Sequence, residues 1–511
     1  MVGKQLSQLC EKLPVVKIWG DADPRITGLA YDSRQVEAGY AFFALPGIHV
    51  DGHNFISAAL ERGAVAIFCE QVPETDDPIH AAVYIQVQDS RRTMSTVAAR
   101  YFDNPSHELS VIGVTGTDGK STTTWLVDQL LSAQEQDVGS ISTVMIRSGA
   151  KAEKNYFRQS TPEAPEIHGY LRQMIDNGRT YAVVEATSHG LSSRTARLQD
   201  VEFDAAVFTN LTHEHLEFHG SFEQYRSDKA QLFRALDHSA KRQVDCQCPI
   251  FGVVNLNDPN SYYFRQATRQ TVLTYALDNP KADLYAGQID ASLTGTRCVF
   301  HWHGEAREVS IPLPGIFNVE NVMAAVLTSA YILQRNPLDL LEVVPTLTGL
   351  PGRMHIVTKE LPWTPIVDYA HTPGAFSSLL PFIRRFTPNR VIVVFGSAGE
   401  RDIDKRAMQG KIAGTETDIF ILTDEDPRGE DSMKILSEIA AGVQEAAPDK
   451  RLDRDIFLIP NRRDAIRKAV SLAVPGDCVL FLGKGHEGSI VYGDHVQEWD
   501  EIAVVEEEIA P

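Results

Sequence analysis

The sequence predicts an α/β protein with three domains. At about 100–200 residues per domain, a chain of 511 residues has room for three. Short apolar runs alternate with helical patterns along most of the chain, which is typical of parallel sheets covered by helices. A polar stretch, DNPSHELS at 103–110, and the turn PGRM at 351–354 separate three sets of such runs. We therefore expect domains at residues 1–107, 108–350 and 351–511.

The first two domains differ in their predicted organisation. Residues 1–107 read as a mixed α/β domain, in which SAALERGAVAIF at 57–68 is helix-like. The central domain begins with a buried strand at 110–115, a glycine turn and a helix at 121–132. Further strands and a helix follow, which favours a parallel sheet; they are strands 181–186, 204–210 and 249–255 and helix 162–176.

The third domain reads as Rossmann-like, because apolar runs and helical patterns alternate again after PGRM. The predicted strands lie at 364–370, 390–396, 418–423 and 478–483, and a helix lies at 433–446.

Composition excludes several classes of protein. The net charge of −20 argues against nucleic acid or an acidic membrane as a partner. No apolar signal region and no run of about 18 apolar residues is present. We expect a cytoplasmic monomer whose cysteines are all reduced, at positions 10, 69, 246, 248, 298 and 478.

The segment VIGVTGTDGKSTTTWL is the strongest chemical signal. It has a strand, a glycine turn, Lys120, two hydroxyls and a helix in succession. Backbone N–H groups at a helix N-terminus bind phosphate, Lys120 would contact the β- and γ-phosphates, and Ser121 or Thr122 would offer a hydroxyl to Mg²⁺. The strict P-loop pattern fails at Val114, and a purely structural glycine turn is the alternative.

Oxygen and nitrogen ligands follow the loop. Glu185 ends an apolar strand, where a carboxylate faces the ligand crevice of such a sheet and suits Mg²⁺. Three histidines lie in THEHLEFHG: His213, His215 and His219. No cysteine or regular spacing supports a zinc site, and composition alone leaves structural and functional roles equally open.

GVTGTDGKSTTT resembles the ATP loop of the Mur ligases and the folylpolyglutamate synthetases, with Asp118 in place of their asparagine. The resemblance implies that ATP is held by Gly116, Thr117, Asp118, Gly119, Lys120, Ser121 and Thr122. TNLTHEHLEFHG and YRSDKAQLF are similar to the family segments that bind the second Mg²⁺, which implies His215 and a carbamylated Lys229 as ligands beside Ser121 and Glu185. Lys120, Glu185, His215 and Lys229 are the implied catalytic set.

Other segments resemble the remaining family contacts. FNVENVMAA implies an adenine contact by Asn318, assisted by Asn321; PGRM implies a phosphate contact by Arg353; VDYAHTP implies a ribose contact by Asp368, with His371 close by. YDSRQVEAGYAFFALPGIHVDGHNFI resembles the UDP-binding domain of Mur ligases, which implies contacts by Ser33, Arg34 and His53. STPEAPEI and TSHGL imply that the muramoyl dipeptide is bound by Ser160, Thr161, Thr187 and Ser188, with Arg197 preferred to Arg194.

The C-terminal segments GSAGERDIDKR, TDEDPRGED and LGKGHE resemble those that bind the incoming amino acid. They imply a site containing Arg401, Glu425, Asp426, Arg428, Gly483 and Glu487. The two arginines would bind carboxylates and Glu487 an ammonium. Arg428 favours diaminopimelate, whereas Asp426 in place of the usual asparagine suits lysine or ornithine, and the sequence leaves this choice open.

Together these segments imply an ATP- and Mg²⁺-dependent Mur ligase that adds a diamino acid to UDP-MurNAc-L-Ala-D-Glu through an acyl phosphate, in peptidoglycan biosynthesis. The alternatives are another Mur-type or folylpolyglutamate-like ligase, and a nucleotide-binding relative without turnover. A nucleic-acid-handling P-loop protein conflicts with the negative charge.

Overall fold

The computed structural model describes residues 3–47, 50–72, 82–157, 159–212, 216–238, 248–358 and 360–510. The chain forms two compact units, Met1–Leu284 with Ala324–Asp339, and Tyr285–Met323 with Leu340–Pro511. The predicted α/β class is confirmed in both. Within the described ranges, no helix is long and apolar enough to cross a membrane.

The first unit begins with a twisted sheet that is parallel except at one edge. From this edge to the other, the strands are Val15–Trp19, Val83–Val87, Ala66–Cys69, Tyr40–Phe43 and Gly28–Ala30. Only the first pair is antiparallel. Lys4–Gln5 pairs with Arg25–Ile26. The helices are Leu6–Leu9, Ile56–Glu61 and Ser90–Tyr101, with 3-10 turns at Ser33–Gln35, Gly52–Phe55 and Pro105–His107.

The helix expected over residues 57–68 is wrong in its second half. The helix ends at Glu61, and Gly63 adopts a φ of +97°, which turns the chain. The following apolar residues form the buried strand Ala66–Cys69 instead. A short apolar run carries no period that separates a buried strand from a helix.

A second sheet of the first unit carries the phosphate loop. Its strands lie in the order Glu153–Lys154, Met145–Arg147, Val138–Ile141, Tyr181–Glu185, Ser110–Thr115, Ala205–Phe208, Phe251–Asn255 and Thr271–Leu277. They are parallel from Val138–Ile141 onward. The helices are Lys120–Ala133, Ala164–Asp176, Ser188–Leu191, Leu216–His219, Phe222–Ala235 and Ser261–Arg265. The predicted strands and helices are present within a few residues of their expected ends.

Three elements connect the units along the chain, the strand Leu284–Ser292, the helix Ile316–Ile332 and the 3-10 turn Pro337–Glu342. The second unit has the strand Leu284–Ser292 beside the hairpin Gly295–Trp302 and Glu305–Ile311. Its main sheet has the order His355–Ile356, Thr364–Asp368, Cys478–Leu482, Val391–Phe395, Ile419–Leu422 and Ile456–Leu458, and only the first pair is antiparallel.

Helices cover both faces of this sheet, as the Rossmann-like prediction requires. Alternate residues of Val391–Phe395 enter two different apolar clusters, one on each face. The helices are Pro373–Phe386, Asp404–Glu416, Ser432–Ala446, Arg462–Leu472 and Glu501–Ile509, and the remaining elements are the turn Val344–Thr346 and the hairpin Ser489–Tyr492 with His495–Glu498. The five described cysteines form no disulfide, and Cys246 lies outside the described residues.

Candidate functional site

The phosphate loop joins the strand Ser110–Thr115 to the helix Lys120–Ala133. Gly116 has a φ of +151°, and a Cβ there would lie 1.9 Å from Thr209 Oγ1. Gly119 caps the helix with a φ of +82°. Glycine is required at both positions, and the open N–H groups of the first helical turn suit an anion.

Two residues that the sequence did not single out hold this loop. Asn210 accepts from Thr117 N at 2.8 Å through its carbonyl and from Asp118 N at 2.9 Å through its side chain. Thr209 Oγ1 donates to the carbonyl of Asp118 at 2.6 Å. The only sequence signal for this pair is its place after the strand Ala205–Phe208.

Lys120 folds back over the loop, because its Nζ donates to the Thr117 carbonyl at 2.7 Å. Asp118, which replaces the family asparagine, is exposed. Its position lets water solvate the carboxylate, which limits repulsion toward bound phosphate.

Glu185 meets the loop from the neighbouring strand. Its register partner is Val114, and its side chain is 3% exposed. Glu185 Oε2 accepts from Ser121 Oγ at 2.8 Å and from Thr143 N at 2.7 Å. A carboxylate and a hydroxyl next to a phosphate loop are the oxygen donors that Mg²⁺ takes, so these residues fit that ion.

Lys229 lies close to the same loop on the helix Phe222–Ala235. It is 2% exposed, its Nζ donates to the Gly116 carbonyl at 2.5 Å, and it lies 4.6 Å from the centre of the Tyr225 ring. Tyr225 OH also lies 3.0 Å from Thr117 Oγ1. A solvated surface lysine is therefore excluded. His213 and His215 lie outside the described residues.

Three of the residues expected to bind the dipeptide, Thr161, Thr187 and Arg197, form one buried network. Thr161 Oγ1 and Thr187 Oγ1 are 2.8 Å apart, and Arg197 Nη1 donates to the Thr161 carbonyl at 3.0 Å. Arg197 also pairs with Glu163 at 2.8 Å. Arg194 instead contacts the carbonyl and ring of Phe218. The geometry groups Arg197 with Thr161, whereas Ser160 is exposed.

Ser188 belongs to a second buried chain of hydrogen bonds. Its Oγ lies 3.1 Å from His219 Nε2, and His219 Nδ1 lies 2.7 Å from Asp228 Oδ2. The carboxylate therefore orients the imidazole, and the imidazole fixes the serine. His219 thus has a structural position between Ser188 and Asp228, the residue before Lys229 in the chain.

The residues expected to bind UDP lie in two short turns. Arg34 is exposed and pairs with Asp32 at 2.6 Å, while Ser33 is buried. His53 uses both ring nitrogens internally: Nδ1 lies 2.6 Å from Asp51, and Nε2 accepts from Glu70 N at 3.0 Å. A ligand would therefore meet the ring face of His53 or its neighbours.

The adjacent Tyr31 connects this segment to the helix Ala164–Asp176. Its hydroxyl donates to Glu166 Oε1 at 2.9 Å. Burial and the nearby Glu166 raise the pKa of Tyr31, and burial raises the pKa of Glu166. The hydrogen bond between Tyr31 and Glu166 is therefore shielded from water.

In the second unit, the residues expected at ATP are well ordered by their own contacts. Asp368 accepts from Met354 N at 2.6 Å and from Ala370 N at 2.7 Å. The guanidinium of Arg353 stacks 4.4 Å from the Tyr369 ring centre.

Asn318 and Asn321 are buried on one helix and joined by a 3.1 Å hydrogen bond. Asn318 Nδ2 also donates to the Pro314 carbonyl at 2.7 Å. His371 Nδ1 lies 2.9 Å from the Tyr369 carbonyl.

The amino-acid segments contain a buried cation that the sequence did not reveal. Lys484 Nζ lies 3.0 Å from Asp426 Oδ1 and 2.6 Å from Glu487 Oε2, and its side chain is fully buried. Burial alone would lower the pKa of Lys484, but Glu487 and Asp426 raise it above its ordinary value. Because this one ammonium lies between two carboxylates, Lys484 offsets part of the charge that Asp426 adds and weakens the argument that Asp426 favours lysine or ornithine.

Two other residues of this site, Glu425 and Arg428, have side-chain atoms that form no hydrogen bond to another described residue. Among the described residues, Glu425 Oε2 and Arg428 Nε are buried without a hydrogen-bond partner. Gly483 lies beside Glu425: a Cβ there would meet its Oε2 at 3.2 Å. Tyr369 OH donates to Glu487 at 3.1 Å, and burial, with Glu487, raises the pKa of Tyr369 well above its ordinary value. Arg401 is exposed.

Comparisons with known proteins cover the whole chain. Residues 25–102 match the family model described as Mur ligase family, catalytic domain; residues 114–329 match the Mur ligase middle domain; and residues 352–485 match the Mur ligase, glutamate ligase domain. The UDP-N-acetylmuramyl-tripeptide synthetase of Borreliella afzelii is 43% identical, over 99% of this chain and 99% of that protein.

Two diaminopimelate ligases are also similar to this chain. The UDP-N-acetylmuramoyl-L-alanyl-D-glutamate--2,6-diaminopimelate ligase of Geobacillus thermodenitrificans is 36% identical, over 98% of both chains. A solved structure of a ligase with that name has a TM-score of 0.64 and 29% identity, over 99% of each chain. From the matching domains and these full-length relatives, the chain belongs to the Mur ligase family.

Proposed function

We propose that this protein is an ATP-dependent ligase that joins a diamino acid to the D-Glu carboxylate of UDP-MurNAc-L-Ala-D-Glu, in peptidoglycan biosynthesis. One observation carries the proposal. The phosphate loop, the Ser121–Glu185 pair and the buried Lys229 meet at the ends of neighbouring strands, in a chain 43% identical to a tripeptide synthetase over nearly its full length. We further propose that it acts as a cytoplasmic monomer, with domains at 1–107, 108–350 and 351–511.

The first step activates the carboxylate. A D-Glu carboxylate oxygen attacks the γ-phosphorus of ATP, the bond from that phosphorus to the bridging oxygen breaks, and ADP leaves with the bonding electrons. The product is an acyl phosphate. Lys120 and the open N–H groups of the first helical turn stabilise the negative charge, and Asn210 and Thr209 hold the loop from which that turn begins. Lys120 Nζ would leave the Thr117 carbonyl to reach the phosphates.

The second step forms the amide. The amine of the incoming amino acid attacks the acyl carbon, and a tetrahedral intermediate forms. Phosphate then leaves with the electrons of the C–O bond, and the nitrogen loses a proton to the surroundings. Thr161, Thr187 and Arg197 would hold the dipeptide while this occurs.

Mg²⁺ would be held by Ser121 and Glu185, with His215 and a carbamate on Lys229 as further ligands. When bound, the ion neutralises phosphate charge. Carbamylation joins the neutral Lys229 amine to CO₂ with loss of one proton, which turns a cation into an anion. The buried position of Lys229 beside the loop supports this role.

We favour diaminopimelate as the amino acid. Arg428 has a free buried Nε for a distal carboxylate, and Glu425 Oε2 suits a distal ammonium. Diaminopimelate carries both groups, whereas lysine and ornithine would leave Arg428 without a ligand. Because Lys484 offsets part of the charge of Asp426, the EDPR variant of the motif is compatible with this choice.

The test is phosphate release with ATP, Mg²⁺ and UDP-MurNAc-L-Ala-D-Glu, with diaminopimelate, lysine and ornithine in parallel. We expect release with diaminopimelate, and at least about a hundredfold loss in Lys120→Ala with an unchanged fold. Arg428→Ala should lower kcat/KM for diaminopimelate about tenfold or more, without lowering it for lysine. Near-normal turnover of Lys120→Ala would refute the mechanism, and release with lysine alone would refute the choice of amino acid.

A further inference from the structure

A buried arginine lies beside the amino-acid segments of the second unit. Arg462 is the first residue of the helix Arg462–Leu472 and is 1% exposed. Its Nε donates to Glu501 Oε2 at 2.8 Å, and its Nη2 donates to Oε1 at 2.6 Å. Trp499 Nε1 also donates to Glu501 Oε2, at 2.6 Å. Because burying two charges opposes much of their attraction, a pair of this kind is weak evidence for stability alone.

The other N–H groups of Arg462 bind two backbone carbonyls. Nη1 donates to Asp424 O at 3.1 Å, and Nη2 donates to Leu482 O at 2.7 Å. Asp424 and Leu482 immediately precede Glu425 and Gly483, the first residues within the segments TDEDPRGED and LGKGHE that are assigned to the amino-acid site. One side chain therefore contacts the start of both segments.

The two carbonyls lie at the carboxyl ends of strands that are not neighbours in the sheet: Leu482 ends Cys478–Leu482, and Asp424 follows Ile419–Leu422. Val391–Phe395 lies between Ile419–Leu422 and Cys478–Leu482. Two strand spacings amount to about 9–10 Å, so ladder hydrogen bonds do not join these ends directly. Arg462 supplies a connection from one side, and the Lys484–Asp426 pair supplies another.

One of these segments also has a backbone conformation that needs support. Arg428 has a φ of +54°, which is unfavourable for a residue other than glycine, whereas the φ of +100° at Gly483 is readily adopted by glycine. Such conformations persist where the surrounding contacts determine them.

We propose that Arg462, oriented by Glu501, is a positioning residue for the incoming amino acid. It sets the spacing of segments 424–428 and 483–487 and so the placement of Glu425, Arg428 and Glu487. The inference rests on the proposed function, since it assigns these segments to the amino acid. Arg462 itself touches no substrate. Its loss should therefore weaken the amino-acid step and spare acyl-phosphate formation.

The test uses the double variant Arg462→Met/Glu501→Gln, which removes both charges and keeps an acceptor for Trp499. The matched control is Arg390→Met/Asp477→Asn. That pair is 2.6 Å apart. Arg390 and Asp477 directly precede the strands Val391–Phe395 and Cys478–Leu482, so the pair lies at the amino-terminal ends of the strands, opposite the carboxyl ends that Arg462 contacts. Arg462→Lys is a third variant, which keeps the ion pair but has too few N–H groups to bind Glu501 bidentately and both carbonyls.

Two activities are measured for each protein. In the Arg462/Glu501 variant, kcat/KM for the amino acid should fall at least about tenfold. Exchange of oxygen positions within ATP, which needs only the UDP-dipeptide, should stay within about twofold of the unmodified protein. Arg462→Lys should also lower kcat/KM for the amino acid, by a smaller factor, while sparing the oxygen exchange. The Arg390/Asp477 control should leave both activities unchanged. Equal loss of both activities, or loss of neither, overturns the positioning role.

Amide hydrogen exchange tests the same contact without turnover. The Arg462/Glu501 variant should exchange at least about tenfold faster in residues 424–428 and 483–487, with the rest of the sheet unchanged. Unchanged exchange there overturns the inference. If the unmodified protein has protected segments but no amino-acid-dependent turnover, the proposed function fails instead, so the two failures are distinguishable.

Discussion

The Lys484→Met substitution removes the ammonium group that lies between Asp426 and Glu487. Methionine fills a similar volume, so the main change is the loss of a buried cation with partners at 3.0 and 2.6 Å. Breaking a buried ion pair from one side costs about 3–5 kcal/mol, because it leaves uncompensated charge. In a unit of this size about 1 kcal/mol shifts Tm by roughly 2–4 °C, so Tm should fall by roughly 6–20 °C.

Differential scanning calorimetry at neutral pH measures this change. The control is Lys411→Met, which breaks the exposed pair of Lys411 with Glu445, 2.7 Å apart in the same unit, and should cost about 0–1 kcal/mol. Adding Asp426→Asn to Lys484→Met should recover part of the loss, since one unpaired carboxylate disappears. If Lys484→Met and Lys411→Met have equal Tm values, the buried pair does not stabilise the site and the reasoning is refuted.

Three further predictions concern the loop and the acid stability. Gly116→Ala places a Cβ 1.9 Å from Thr209 Oγ1, so ATP affinity by calorimetric titration should fall at least about tenfold. Gly178→Ala is the control: it introduces backbone strain at a φ of +76° but has open space around it, so it should bind ATP normally. Ser121→Ala removes the 2.8 Å partner of Glu185 and should lower kcat about 10–100-fold in phosphate release, unlike Ser132→Ala on the same helix. The hydrogen bond from Arg406 lowers the pKa of Glu430 from 4.5 to about 2. The Tm difference between the unmodified protein and Glu430→Gln should therefore be constant above pH 4.5 and disappear as the pH falls toward 2, and a difference that persists at pH 2 would contradict this pairing.

The strands of both main sheets are predictable because they are buried on two faces. Continuous apolar runs such as Val391–Phe395 and Cys478–Leu482 are only five residues long and are followed by a glycine, which favours a buried strand over a helix. Residues 66–69 also form a buried strand, but in the sequence only Gly63 separates this apolar run from the preceding helical segment. Gly63 can adopt either a helical φ or the positive φ that turns the chain, and the sequence alone does not determine which.

The motif residues of the site can be predicted from the sequence because each lies within a short, contiguous and recognisable segment. Their supporting partners do not, because these contacts join distant parts of the chain: Asn210 with Asp118, Lys484 with Asp426, and Arg462 with Glu501. A single lysine in a glycine-rich turn usually means a solvated side chain. Only the fold shows that Lys484 is buried between two carboxylates.

The mass of the UDP-linked product tests the central claim most directly. Purified protein is incubated with ATP, Mg²⁺, UDP-MurNAc-L-Ala-D-Glu and diaminopimelate, and the products are separated and weighed by mass spectrometry. We predict a new species heavier than the substrate by one diaminopimelate less one water, with one ADP formed for each product. ATP consumption without this species, or no change in the UDP-dipeptide with any diamino acid, would contradict the account.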